Sequence, residues 1–70
     1  MTNTEKLKEL IKDKGISITF IAKKLDISRS ALYNKMDNKS AFNQYEIETL
    51  CEVLNIRTLK EKEAIFFAKM

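Results

Sequence analysis

The sequence contains no histidine, tryptophan or proline, and it has a single cysteine and a single glycine. One cysteine without histidine rules out a disulfide framework, the usual zinc sites and a Cys–His nucleophile. The sequence also lacks paired carboxylates, a glycine-rich phosphate loop and any metal-ligand spacing. We therefore expect neither an enzyme nor a cofactor.

Long apolar runs are missing as well. No stretch approaches the ~20 apolar residues of a membrane-spanning helix, and the first ten residues, MTNTEKLKEL, lack the apolar core of a signal peptide. A chain of 70 residues buries only about 60% of its unfolded surface, so it must be compact and largely regular. We expect a single domain over residues 1–70, located in the cytoplasm and without a membrane partner.

Apolar residues recur with helical spacing in five segments, which predicts five helices around one core. The expected helices are Thr4–Lys14, one begun at Ser17, Arg29–Met36, one from Asn43 to near Val53 or Leu54, and one begun at Thr58. Residues 37–42 are predicted to form a polar loop. No strand is indicated, so the predicted fold class is all-α.

Because proline is absent, helix ends must be set by capping residues. Capping boxes, in which a capping side chain and a glutamate three positions later bond reciprocally to the backbone, are predicted at Thr2/Glu5, Asn43/Glu46 and Thr58/Glu61. Gly15 and Asn55 are expected to end the first and fourth helices in the left-handed region.

The last two helices carry apolar residues, which on the fourth helix share one face. On the fourth helix they are Ile47, Leu50, Cys51 and Leu54. On the fifth helix they are Leu59, Ile65, Phe66, Phe67 and Met70. Cys51 is accordingly expected to be an inert core residue.

Residues 17–36, SITFIAKKLDISRSALYNKM, are the most informative part of the chain. They contain two apolar stripes, formed by Ile21, Ala22 and Leu25 and by Ala31, Leu32 and Met36. Helices this short are unstable alone and must pack on each other, as in a helix-turn-helix. Ala22 is small enough for a close crossing, and Ser28 can cap the second of the two helices.

Four side chains then point outward from the third helix: Arg29, Ser30, Tyr33 and Asn34. Arginine can pair bidentately with guanine and asparagine with adenine in the major groove, so Arg29 and Asn34 are the leading predicted base contacts. Ser30 and Tyr33 are further candidates: Ser30 can reach a base or a phosphate, and Tyr33 can contact a thymine methyl group or cover the edge of the core. Positive charge is concentrated around them. Residues 14–45 carry a net charge of +4, against 0 for residues 1–13 and −1 for residues 46–70. A protein that binds DNA phosphates needs such a distribution.

The residue order in this region carries a family resemblance. The pattern S-x-x-x-I-A-x-x-L-D-I-S-x-x-A-L-Y, followed by E-I-x-x-L-C-x-x-L-N-I at residues 46–56, resembles the Cro/repressor-type helix-turn-helix domain of phage regulators. The closing I-F-F-A-K, residues 65–69, is similar to small phage proteins of Gram-positive hosts in that group. Over residues 5–70, the resemblance implies a five-helix, lambda-repressor-like DNA-binding domain with its helix-turn-helix at helices two and three.

The resemblance also implies how the domain holds double-stranded operator DNA. In such folds the segment after the recognition helix grips phosphate, so the implied phosphate contacts are Lys35, Asn38, Lys39 and Ser40. Lys23 and Lys24 on the second helix are further candidates: at least one of them is expected to face the DNA backbone, and the other to be solvated.

Three positions depart from the family pattern. Ile18 stands where such domains often have a glutamine that touches phosphate, and Asp26 and Asn38 stand where glycine is usual. Aspartate and asparagine are the non-glycine residues that best tolerate a left-handed backbone, so the turn geometry is expected to persist.

Four apolar residues are candidates for contacts with another protein. Ile18 and Phe20 are expected to be at least partly exposed near the DNA-facing side, which suggests a protein-binding patch. Phe66 and Phe67 point about 100° apart on a helix. One of them can therefore fill the core while the other remains near the surface, where a homodimer contact could cover it.

Two functions remain open. The first is a Cro-like phage repressor that binds an operator through its third helix and competes with RNA polymerase or a second repressor. The alternative is an antirepressor that binds an opposing phage repressor through its helix-turn-helix surface. Arg29, Asn34 and the basic middle of the chain favour the first, whereas Ile18, Phe20 and the modest net charge of +3 favour the second.

Overall fold

The computed structural model describes residues 1–69, which form five helices and no strand. The helices are α1 (Thr4–Lys14), α2 (Ile18–Leu25), α3 (Arg29–Met36), α4 (Gln44–Val53) and α5 (Leu59–Phe66). The predicted all-α, five-helix fold is confirmed, and α1 and α3 have the predicted bounds.

Side-chain caps begin four helices as the sequence predicts. The hydroxyls of Ser17 and Ser28 accept hydrogen bonds from the third backbone N–H of α2 and α3, respectively. At α4, the Asn43/Glu46 capping box is complete. At α5, the Thr58 hydroxyl accepts a hydrogen bond from the backbone N–H of Glu61. Within residues 1–69 the Thr58 N–H does not donate to the Glu61 carboxylate in return, so the predicted capping box is only half formed.

The first helix is capped one residue later than predicted. The Asn3 side chain, not that of Thr2, accepts from a first-turn amide, the N–H of Lys6. Thr2 is buried, and its backbone N–H and C=O both bond the Asn38 side chain. The Thr2/Glu5 capping box was therefore a wrong prediction, because two adjacent residues were both eligible caps and a distant contact decided between them.

The first four helices are each followed by a residue in the left-handed region. The residues are Gly15 (φ 68°), Asp26 (φ 58°), Asn38 (φ 64°) and Asn55 (φ 56°). At each position the left-handed residue and its successor donate N–H bonds back to the last turn. After α2, for example, Asp26 bonds the carbonyl of Lys23 at 3.2 Å, and Ile27 bonds that of Ala22 at 3.0 Å. This pairing satisfies carbonyls that a helix end would otherwise leave open, and it confirms the left-handed turns predicted from Asp, Asn and Gly.

All five helices contribute to one core. Its buried apolar residues are Leu7, Ile11, Ile21, Ala22, Leu25, Leu32, Met36, Ile47, Leu50, Leu54, Ile56, Ile65 and Phe66. The ring of Phe42 packs edge-on against that of Phe66, with centroids 5.8 Å apart. Within residues 1–69, no helix has the length and apolar character needed to cross a bilayer.

Three of the apolar residues predicted on α4 and α5 are not among the buried core residues of the described structure. Leu59, the first residue of α5, is 69% exposed and stays outside the core. Cys51 is only partly buried, although it does pack against the core. Met70 lies outside the described residues.

Candidate nucleic-acid interface

Helices α2 and α3 pack on each other as a helix-turn-helix. Ile21, Ala22 and Leu25 of α2 and Leu32 and Met36 of α3 are all buried. A turn of three residues, 26–28, joins the helices, with its first residue left-handed and its last residue capping α3. The buried methyl of Ala22 allows the close approach that the sequence predicted.

The side of α3 facing away from this packing carries the four predicted base contacts. Arg29, Ser30, Tyr33 and Asn34 are all exposed, and their spacing of i, i+1, i+4 and i+5 places them on one helical face. Among the described residues, none of these four side chains forms a hydrogen bond or ion pair with any other group. We call these four residues the base-contact face.

A shallow cleft of about 200 Å³ lies beside the base-contact face, between α1 and α3. It is lined by Lys8, Ile11, Lys12, Ile18, Tyr33 and Met36. Both lysines are exposed, and Lys8 lies 3.5 Å from a carboxylate oxygen of Asp37. Lys8 and Lys12 were not predicted as phosphate ligands, because residues 1–13 have no net charge. Their spacing of i, i+4 on α1 was the available signal.

The loop after α3 divides into exposed and anchored residues. Lys39 and Ser40 are exposed, and their backbone N–H groups bond the carbonyl of Asn34 at 2.8 and 3.4 Å. Asn38 uses both ends of its amide on Thr2, with donor–acceptor distances of 2.8 and 2.9 Å. The side chain predicted to touch phosphate at position 38 is thus engaged inside the protein.

Lys35 is engaged even more strongly. Its Nζ donates to both carboxylate oxygens of Glu46, at 2.6 and 2.8 Å. The side chains of Lys35 and Glu46 are only 18% and 4% exposed. An ammonium held this way does not extend toward a phosphate, so the expected phosphate contact of Lys35 is not supported by its position.

The exposed residues of α2 do not form the single apolar patch that the sequence suggested. Ile18 and Phe20 are two positions apart, a rotation of about 200° around the helix axis, so their side chains lie on nearly opposite sides of α2. Ile18 is partly buried against the core in the α1–α3 cleft. Phe20 is 46% exposed, and the Nζ of Lys24 lies 5.6 Å from its ring centroid, within cation–π range. Lys23 and Lys24 are both exposed.

At the other end of the chain, Phe66 is buried and Phe67 is 51% exposed. The predicted division between a core phenylalanine and a surface phenylalanine is confirmed. The homodimer contact of the exposed phenylalanine remains a prediction.

Cys51 has none of the features of an activated thiol. Burial raises the pKa of the Cys51 thiol; the nearby Lys62 charge opposes that shift and the Glu48 charge adds to it. A nucleophilic or metal-binding cysteine needs a lowered pKa. Within residues 1–69, no three Cys, Asp or Glu side chains form a cluster suited to a metal ion.

Comparison with known proteins agrees with this geometry. A family model for the Cro/C1-type helix-turn-helix DNA-binding domain matches residues 6–61, a span that contains most of α1, all of α2 to α4 and the base-contact face. No curated protein and no solved structure matches the chain. Because the matched span covers most of the sequence, the chain belongs to the Cro/C1-type helix-turn-helix family of sequence-specific, DNA-binding transcription regulators.

Proposed function

We propose that the protein is a Cro-like repressor of a phage or prophage, acting in the cytoplasm of a Gram-positive bacterial host. The observation that carries this proposal is the base-contact face: four exposed polar or aromatic side chains on the outer side of a helix whose inner side is fully packed. With α3 in the major groove, the bound domain competes for the operator with RNA polymerase or with a second repressor.

Direct base recognition is assigned to two residues of that face. Arg29 donates a bidentate pair to guanine, and Asn34 pairs with adenine, each worth about 1–3 kcal/mol of discrimination against the wrong base. Ser30 and Tyr33 complete the contact surface, and Tyr33 can meet the methyl group of a thymine. All four side chains are exposed, and none of them takes part in a hydrogen bond or ion pair among residues 1–69.

Phosphate contacts are assigned to exposed cations around this face. Lys39 and Ser40 follow α3, and Lys23 and Lys24 lie on α2. Lys8 and Lys12, which line the α1–α3 cleft beside Tyr33, extend the footprint across α1. The footprint omits Lys35 and the Asn38 side chain because their hydrogen bonds lie in the partly buried interior, whereas the ion pair of Lys8 with Asp37 is exposed to solvent.

Two copies of the domain are proposed to occupy one operator. Half-sites one helical turn apart are separated by about 34 Å. The longest dimension of the domain is 27 Å, so two copies fit side by side at that spacing. Phe67, exposed after the end of α5, is the proposed contact between them.

The proposal is tested by selecting duplexes of about 30 base pairs from a random library, a length that accommodates two half-sites. Fluorescence anisotropy then compares the selected duplex with a shuffled duplex of equal composition over a range of salt concentrations. The same assay is applied to the intergenic DNA that flanks the gene. We expect preference for the selected duplex and affinity that falls steeply with salt. Equal affinity for both duplexes, or no binding, contradicts the proposal.

Phe20 supports a second candidate function, that of an antirepressor. Its exposed ring adds little to a phosphate contact, yet burial against a protein would stabilise a complex by roughly 1.5–3 kcal/mol. An opposing phage repressor that covered α2 would also cover the neighbouring α3. Partner binding and operator binding would then be mutually exclusive.

A further inference from the structure

We propose that Lys35 and Glu46 are positioning residues for DNA recognition. Their ion pair fixes the carboxyl-terminal end of α3, and with it the orientation of the base-contact face, without touching DNA. The inference rests on the proposed DNA-binding function and adds a role for two residues that do not belong to the footprint.

The ion pair joins two helices and a cap. Lys35 lies in the last turn of α3, and Glu46 in the first turn of α4. Glu46 Oε1 accepts from Lys35 Nζ at 2.6 Å and also from the backbone N–H of Asn43 at 2.9 Å. The Asn43 side chain in turn accepts from the Glu46 N–H at 2.8 Å. A single carboxylate therefore ties the end of α3 to the capping box that begins α4.

Independent bonds hold the opposite side of the same helix end. The Thr4 hydroxyl donates to the Met36 carbonyl, and the Asn38 amide bonds the Thr2 backbone. Only the Lys35–Glu46 pair links α3 to α4 through side-chain hydrogen bonds among residues 1–69. Loss of the pair would leave this end with side-chain hydrogen bonds toward α1 alone, so that only apolar packing in the core would hold it against α4.

Burial makes the pair specific to one geometry. A nearly buried ammonium and carboxylate are costly to separate, because each would lose its partner in a place that water reaches poorly. Bidentate base recognition requires the contacting side chains to be held within about 0.5 Å and 10–20°. Phosphate contacts by flexible lysines tolerate much larger displacements. Disruption should therefore reduce discrimination between sequences and leave general DNA affinity nearly intact.

The central variant is the double change Lys35→Met, Glu46→Gln. It removes both charges while glutamine retains the acceptor that completes the capping box. Lys35→Arg preserves the charge and a bidentate donor, and serves as the conservative rescue. Lys39→Met is the matched control, since it removes an exposed lysine four positions away. The single change Glu46→Gln keeps one acceptor oxygen, which can serve the Asn43 N–H, but replaces the other oxygen with an NH2 donor. It provides a second test if the double variant fails to fold.

Affinities are measured for the duplex selected by the unaltered protein and for its shuffled counterpart, at temperatures where circular dichroism shows each variant folded. In the double variant, we expect the affinity ratio to fall about tenfold, comparable to the loss from one mismatched base pair, with an unchanged salt slope. Glu46→Gln should lower the ratio in the same direction, and Lys35→Arg should preserve it. Lys39→Met should lower the slope by about one and leave the ratio intact.

An unchanged ratio in the folded double variant, or in Glu46→Gln if the double variant is unfolded, overturns the proposal. A slope lowered by about one in the double variant also overturns it, because Lys35 would then be a phosphate ligand.

Amide hydrogen exchange of the free protein gives a readout that needs no DNA. Protection at the Asp37 and Lys39 amides, which bond Tyr33 and Asn34, should fall in the double variant, or in Glu46→Gln if the double variant is unfolded. If the unaltered protein discriminates between no duplexes, the proposed function fails, and unchanged protection at these amides separately overturns the positioning role.

Discussion

At the scale of single residues, three helices are followed by a left-handed residue that is not glycine. Asp26, Asn38 and Asn55 all have φ between 56° and 64°. A side chain in this region costs roughly 1–2 kcal/mol, and less for aspartate and asparagine, whose short polar groups can bond locally. The chain thereby makes sharp turns after α2, α3 and α4 although it has only one glycine.

Asp26 allows a clean test of this conformational cost. Asp26→Ala should lower the free energy of unfolding by about 1 kcal/mol, because alanine keeps the Cβ but tolerates the left-handed region less well than aspartate. The free energy of unfolding of Asp26→Gly should be no more than about 0.5 kcal/mol below that of the unaltered protein. Relief of the left-handed strain offsets the greater entropy of glycine in the unfolded chain. Both variants lose the same charge, so urea denaturation isolates the backbone effect. Equal stability of the two variants would contradict the explanation.

Arg29 and Lys39 should separate sequence recognition from phosphate binding. Arg29→Ala should lose about 1–3 kcal/mol of discrimination at one base pair of the selected duplex, because a bidentate contact is removed. Lys39→Ala should weaken all duplexes equally and lower the salt slope by about one. Anisotropy titrations against single-base variants of the duplex distinguish the two patterns. Uniform weakening by Arg29→Ala would instead assign that side chain to phosphate.

At the scale of the elements, α2 and α3 are eight residues each and depend on their surroundings for stability. Helices of this length are unstable in isolation, so serine caps and buried faces must hold them. Helical periodicity places residues that are close in sequence on different sides of α2. Ile18 lies in the α1–α3 cleft, whereas Phe20 emerges beside Lys24. A protein contact on α2 can therefore be tested through Phe20 alone, without disturbing the core.

Phe20→Gln tests the antirepressor alternative. If the second candidate function is correct, this variant should weaken a complex with the repressor encoded nearby by roughly 1.5–3 kcal/mol while the fold is retained. Tyr45→Gln is the matched control, because Tyr45 is also an exposed aromatic residue but lies on α4. Calorimetric titration of the two purified proteins gives the affinities. Absence of a complex, or equal effects of both variants, would count against an antirepressor.

At the scale of the whole molecule, the two ends of the described chain are hydrogen-bonded to each other. The Ala68 N–H donates to the Met1 carbonyl at 2.9 Å, and the Asn3 N–H donates to the Ile65 carbonyl at 2.6 Å. These bonds hold the start of α1 against the end of α5, next to the loop that follows α3. The exposed Phe67 lies in this joined region and lines a cleft with Phe42 and Phe66.

Phe67→Asp should weaken self-association of the domain, because a charge would replace an apolar ring at the proposed contact. Leu59→Asp, at an even more exposed apolar position at the start of α5, should have no such effect. Sedimentation equilibrium, alone and with the selected duplex, measures the number of protein copies. Monomers under both conditions, with a footprint of one half-site, would show that this contact does not operate.

The sequence by itself determined the helices, most of their caps and the helix-turn-helix. These features follow from local patterns: apolar spacing for α1 to α5, serine and asparagine before α2, α3 and α4, and aspartate or asparagine after them. The exposure of the base-contact face follows as well, since the opposite side of α3 carries its apolar residues. Periodicity within one helix is sufficient to place side chains inside or outside.

Only the tertiary structure decided which polar side chains remain available to DNA. Lys35 meets a carboxylate eleven residues away, and Asn38 meets a backbone segment thirty-six residues away. It is also the packing of α1 beside α3 that brings Lys8 and Lys12 next to Tyr33. Lysines in the sequence look alike, and the partner that engages one of them and leaves another free is set by contacts between distant segments, which no local pattern encodes.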